Sequence, residues 1–281
     1  MGLLDSLPAL ADGHLLWRQT ATVTYLEPLA LSAHPRLRCA FTTRHAGRSG
    51  QALNLSFDKG ERMTVQAQRQ HVLQALGLEQ TRLCSVRQVH GNQVCMVDTA
   101  MLQRGLTGVA ADALVTGLPQ VTLGVLIADC LPIVLYALDT PVIAVVHAGR
   151  MGTYHRVVQH TLDVIERCFT TPPAQVHAVL GPAIGACCYT LDRRAVGPFQ
   201  VQFPAWERFF IPHGPEHWTM DLLTANTLQL RAAGVPAAQI DRASICTACH
   251  KHVLYSHRAE GQEAGRGMAL VALTSPAPAS Q

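Results

Sequence analysis

Between residues 113 and 147 four apolar runs follow one another closely: ALVT (113–116), TLGVLI (122–127), IVLYA (133–137) and VIAVVH (142–147). Their side chains are apolar continuously rather than alternately, the pattern of strands buried on both faces. This stretch therefore requires sheets that other layers cover. With 48% hydrophobic and 15% charged residues, the chain has the material for a sizeable core.

Helical periodicity flanks these strands. VQAQRQHVLQALG (65–77) sets Val65, Val72, Leu73 and Leu76 on one face and stops at Gly77. Residues 154–169 repeat the pattern through Val157, Val158, Leu162 and Ile165. DLLTANTLQLRAAGVP (221–236) places Asp221 at a helix start, with Gly234 and Pro236 beyond its end. Shorter strands are expected at 37–44, 176–180, 240–246 and 267–273, and two around a turn at Gly91-Asn92. The expected fold class is α+β, a single domain over 35–273 with mixed central sheets and peripheral helices. Residues 1–34 read as a loose N-terminal extension and 274–281 as a disordered tail.

Charge and cysteine usage narrow the function classes. Twenty-two basic and 19 acidic side chains leave a net +3 without a concentrated basic stripe, which argues against nucleic acid as a partner. No uncharged apolar run approaches the roughly 18–20 residues of a membrane span. Nine cysteines, an odd number without compact disulfide spacing, suit a reducing cytoplasm. Thiols there act as core filler, metal ligands or nucleophiles.

Three residues stand at expected strand ends beside turn formers: His90 before Gly91, Cys130 before Leu131-Pro132, and His147 before Ala148-Gly149. One thiolate and two imidazoles form a competent zinc set with a fourth position open to water or substrate. The spacing is long-range, and an inert buried thiol with two strand-capping histidines fits it too. Asp129 interrupts the apolar stretch GVLIADCLPIVLY (124–136). If it is extended like Cys130, it faces the opposite way. It then orients a ligand, transfers protons, or holds backbone amides in the turn.

Cys246-x-x-Cys249 with His250 and His252 has the short spacing of a zinc knuckle, but no second CxxC completes it, and core or loop thiols are the plainer reading. Cys187 and Cys188 are adjacent, a poor arrangement for a mutual disulfide. Arg258 and Arg266 lie in a polar stretch where they can clamp an anion or stay solvated.

Ten ordered motifs then match a known family. They are TTR.AG…LNL (42–55), QVHG (88–91), ADALVT (111–116), ADCLPIVL (128–135), VHAG (146–149), LGPAIGACCY (180–189), DLLTANTLQLRAAGV (221–235), CTAC (246–249), YSHR (255–258) and GR (265–266). Over residues 35 to 273 the chain resembles bacterial laccase-domain proteins, also called peptidoglycan editing factor and described as purine nucleoside phosphorylases with adenosine deaminase activity. The resemblance implies a four-layer α/β/β/α domain, with metal ligands at His90, Cys130 and His147. It also implies Zn2+ as cofactor, and purine nucleosides and phosphate as substrates. The implied reactions are phosphorolysis of adenosine, inosine, guanosine and methylthioadenosine, and deamination of adenosine. Arg44, Arg150 and Arg258 are the phosphate-binding candidates, and Asp129 is the candidate for proton transfer. A monomer or small homo-oligomer in the cytoplasm is expected.

The match departs from the family's pattern at two places. Where the family usually reads His-Ala-Gly-Trp-Arg-Gly, this chain has His147-Ala148-Gly149-Arg150-Met151-Gly152, and Ala259 stands where a second arginine is common. A second functional reading is a cysteine hydrolase or amidase that edits a peptidoglycan precursor, with Cys130 as nucleophile and His147 as base. Copper oxidation fits poorly, since such centres need clustered histidine pairs and His250-x-His252 is isolated.

Overall fold

The computed structural model describes residues 13–47 and 51–274. The four apolar runs divide between two six-stranded mixed sheets. The first sheet runs in the order Leu15–Gln19, Thr24–Pro28, Leu37–Thr42, Gly267–Leu273, Val121–Ile127, Arg82–Cys84. The second runs Ile240–Arg242, His177–Leu180, Leu131–Ala137, Val142–Ala148, Ala113–Thr116, Val94–Met96. Most neighbours are antiparallel, while three edge pairs are parallel.

Side-chain alternation explains why the central strands read as unbroken apolar runs. Along Leu131–Ala137, Val134 and Tyr136 face the first sheet, whereas Ile133, Leu135 and Ala137 face outward into a helical layer. Along Val142–Ala148, Ile143 and Val145 face inward, whereas Val142, Ala144 and Val146 face outward. The outward layer is built on the helices Val157–Phe169 and Leu222–Ala232, through Val157, Val158, Leu162, Ile165 and Leu230. Behind the first sheet, the helix Arg62–Ala75 packs Val72 and Leu73 against Ala40, Met268 and Leu270. The result is the expected α/β/β/α order.

Helix starts follow their capping chemistry. Asp221 accepts hydrogen bonds from Thr224 N and Thr224 Oγ1, and Glu61 accepts from Met63 N and Thr64 N. The section expected to be loose through residue 34 is partly ordered. Leu15–Gln19 and Thr24–Pro28 pair antiparallel and extend the first sheet beside Leu37–Thr42. Leu15, Val23 and Leu26 are buried there, enough apolar surface to hold an edge hairpin. Of the expected tail, Thr274 N donates to Arg36 O, and residues 275–281 lie outside the described residues. Of the two strands expected around Gly91-Asn92, Val94–Met96 forms as a strand, while the first is reduced to an isolated bridge between Arg87 and Ala110. No helix among the described residues is long and apolar enough to cross a membrane.

Candidate functional site

The chain passes from one sheet to the other at Ala128-Asp129-Cys130, between Val121–Ile127 and Leu131–Ala137. Asp129 takes a φ of 89° to make that crossing. Asp is among the few residues with a side chain that tolerates positive φ. Asp129 and Cys130 are therefore not successive extended residues, and the strand alternation that would separate them does not apply. The crossing opens a cavity of about 530 Å³ at this end of the paired sheets. His90, Cys130 and His147 line it together. Their ligating atoms all lie within 4.8 Å of one another, so the structure unites the three residues the sequence singles out.

Asp112, in the motif ADALVT, organises this triad. It is fully buried. Its Oδ1 accepts from His90 N and lies 2.9 Å from His147 Nδ1. Its Oδ2 accepts from Gly91 N at 2.7 Å and Val89 N at 3.2 Å. His90 has a φ of 58°, which helps turn three successive amides toward one carboxylate. With Nδ1 bonded to Asp112, His147 keeps Nε2 for a ligand. The signal that identifies Asp112 in the sequence is the one that exposes Asp129: a carboxylate set beside a buried apolar strand.

The electrostatics pair the thiol with an imidazole. Burial pushes Cys130 up, but His147 and His90 outweigh it and bring the thiol down to about 6. Burial pushes His147 down, while the Cys130 thiolate and the Asp112 carboxylate carry it up to about 9. The two shifts reinforce one another and, without metal, favour the thiolate–imidazolium form of the pair. The donor set fits a three-ligand metal centre with one open position. Gly149 leaves room for it, because a Cβ there would stand 2.6 Å from Cys130 Sγ and 3.3 Å from His90 Cδ2.

Asp129 lines the cavity but both of its oxygens accept hydrogen bonds. Thr247 Oγ1 donates at 2.6 Å to one and Arg258 N at 2.6 Å to the other. Of the three roles open to it in the sequence, its bonds match the one in which it holds a backbone amide.

Arg150, Arg258 and Arg266 line the cavity. Arg150 opens the short helix Arg150–Tyr154 directly after Gly149, so the departure from the usual motif still presents a guanidinium here. Arg258 stacks over Tyr189 at 5.0 Å and donates to Thr190 O. Arg44 is not among the lining residues. It pairs with Glu260 at 2.7 Å, donates to Lys251 O and lies over the Tyr255 ring. Both hydrogen bonds leave from Nη1 and hold the side chain to the Lys251–Glu260 segment.

Residues 38–274 match the family described as multi-copper polyphenol oxidoreductase laccase. The chain is 31% identical over 244 residues to a protein of Geobacillus stearothermophilus named purine nucleoside phosphorylase YlmD, covering 82% of this chain and 88% of that protein. It is 32% identical over 201 residues to adenosine deaminase RL5 from an unknown prokaryotic organism, covering 68% and 75%. The crystal structure of Bacillus licheniformis hypothetical protein YfiH superposes with a TM-score of 0.83 at 26% identity, covering 92% of this chain and 99% of that one. The sequence match across nearly the whole described domain and the shared fold lead to one conclusion: the chain belongs to the multi-copper polyphenol oxidoreductase laccase family.

Proposed function

We infer that the protein is a zinc-dependent purine nucleoside enzyme that cleaves nucleosides with phosphate and deaminates adenosine. The observation that carries this reading is the placement of a His90–Cys130–His147 donor set in the same cavity as three arginines. The names of its relatives, phosphorylases and an adenosine deaminase, point the same way. A volume of about 530 Å³ suits a small polar ligand such as a nucleoside.

Zinc in a three-donor setting supplies Lewis acidity and lowers the pKa of water toward about 7. The chain's own groups do the rest. His90, Cys130 and His147 hold the ion, and Asp112 fixes the His147 ring. Arg150, Arg258 and Arg266 orient phosphate through N–H donors. Tyr189 offers a flat face at the wall that Arg258 also forms. Asp129 serves by positioning Arg258, whose backbone N–H it accepts at 2.6 Å beside the Thr247 hydroxyl. Copper gains no support from His250 and His252, whose rings lie 6.1 Å apart and outside both clusters of metal-ligating side chains.

The decisive experiment is a product assay on adenosine with and without phosphate, using protein of measured metal content. Inosine formed without phosphate indicates deamination, and adenine with ribose 1-phosphate indicates phosphorolysis. Neither product from metal-loaded protein overturns the reading. The thiolate–imidazolium pair also favours a second reading, a hydrolase or amidase with Cys130 as nucleophile and His147 as base. Chelation separates the two: thiol chemistry survives metal removal, whereas the zinc enzyme loses its activity.

A further inference from the structure

Outside the cavity the fold gathers four more thiols. Cys187 and Cys188 lie in the turn after Gly185, where Cys188 N and Tyr189 N both donate to Gly185 O. Cys246 forms an isolated bridge with Ala183, and Cys249 lies in the turn that follows it. Cys249 Sγ stands 3.5 Å from Cys187 Sγ and 3.4 Å from Cys188 Sγ. All four sulfurs are within 4.8 Å of one another. Neighbouring residues of a strand would point apart, but the turn lets Cys187 and Cys188 face the same partner.

We propose that Cys187, Cys188, Cys246 and Cys249 form a tetrathiolate site for a divalent zinc-class ion, separate from the cavity donors. A tetrahedral ion with bonds of about 2.3 Å holds its sulfurs about 3.8 Å apart, close to the spacings found here. Gly185 N donates to Cys246 Sγ at 3.2 Å, and the Cys249 amide also donates to Cys246. Amide donation to sulfur suits a thiolate ligand better than a neutral thiol. Gly185 eases that approach, since a Cβ there would stand 3.2 Å from Cys187 Sγ and 3.3 Å from Cys246 Cβ. A disulfide would use two sulfurs and leave two without a role, whereas this arrangement converges all four. The second half of the site, absent as a CxxC in the sequence, comes from a loop some sixty residues away in the chain.

The site would fasten together the two loops that wall the cavity. Ile184 and Tyr189 come from one loop, and His257 and Arg258 from the other. Asp129 bonds the second loop at Thr247 and Arg258. The ion is thus structural: it holds the substrate-binding wall without touching the reacting groups.

The test is metal stoichiometry by mass spectrometry on the full chain purified without chelator, with Co2+ substitution as a second readout. If both centres fill, the unaltered protein carries two ions, and C130A and C249S carry one each. Cobalt-loaded C130A should show the strong thiolate-to-cobalt charge transfer of a tetrahedral four-sulfur site. If the cavity centre takes no metal, the unaltered protein and C130A still carry one ion and C249S none, which upholds this site alone. C130A without metal, its four remaining cluster cysteines titrating as free thiols or mapping to disulfides, overturns the proposal. That arm holds even if C249S fails to fold.

Discussion

Replacing Asp112 with Asn tests whether one buried carboxylate sets the geometry of the cavity lined by His90, Cys130 and His147. The carboxylate serves four donors, two on each oxygen. An Asn amide has one acceptor oxygen, so its NH2 group must face two of those donors in either orientation. If it replaces Oδ1, His147 Nδ1 and His90 N lose their acceptor. If it replaces Oδ2, the amides of Gly91 and Val89 lose theirs. Each hydrogen bond to a charged group is worth about 1.5–3 kcal/mol, and the 3.2 Å contact to Val89 is the weakest. The cheaper orientation then costs about 3 kcal/mol. For a chain of this length, that lowers the melting temperature of the metal-free protein by roughly 6 °C. Either orientation also frees one of the two histidines of the proposed metal site, His147 through its ring or His90 through the 89–91 turn. Losing a group that orients a ligand typically weakens metal binding about 10–100-fold. Chelator competition with zinc measures the affinity, and a thermal melt of the chelated protein measures the stability. An Asp112→Asn variant with wild-type affinity and unchanged melting would refute the assignment.

Three further outcomes follow from the same geometry. In chelated protein, alkylation of Cys130 by iodoacetamide should rise through a midpoint near 6 instead of the ordinary 9.0, and metal should protect the thiol. Cys130 contributes stability that is fully present above 9.0 and lost as pH falls through about 6, while His147 contributes stability fully present below 6.5 and lost as pH rises through about 9. These opposing slopes largely offset one another across that window, so alkylation rather than melting reports the pair. Gly149→Ala should displace the Cys130 thiol, cost about 1–3 kcal/mol of stability by overpacking and abolish metal retention at the cavity, read by metal analysis. Arg150→Ala should raise the phosphate KM while sparing adenosine deamination, whereas Arg44→Ala should lower thermal stability by about 1 kcal/mol through its lost ion pair and leave the phosphate KM unchanged.

Legibility in the sequence followed the range of the contacts involved. Helices with a capping side chain and an apolar stripe, such as Leu222–Ala232 behind Asp221, are local and could be read directly. The doubly buried strands could be read because layers on both faces leave no polar alternation. The hairpin at 15–28 escaped because its edge strands mix half-exposed polar residues with Leu15 and Leu26. The family resemblance pointed to Arg44 as a phosphate ligand, but its side chain is turned to Glu260, 216 residues away. The meeting of Cys187 and Cys188 with Cys246 and Cys249 likewise depends on how two loops close, which no spacing encodes.

Asp112 and Asp129 show how the same sequence anomaly resolves into two jobs. Both are buried carboxylates in apolar surroundings, and an unpaired charge there would be prohibitively costly. Each is therefore surrounded by donors, and the identity of those donors defines its role. Asp112 takes one imidazole and three amides beside it, so its charge fixes the His147 ring and raises its basicity. Asp129 takes a hydroxyl and an amide from the Thr247–Arg258 segment, so its charge ties the crossing between the sheets to the wall that carries Arg258. The two acids thus hold different parts of the cavity lining: Asp112 holds the His147 ring and the 89–91 turn, and Asp129 holds the segment that carries Arg258.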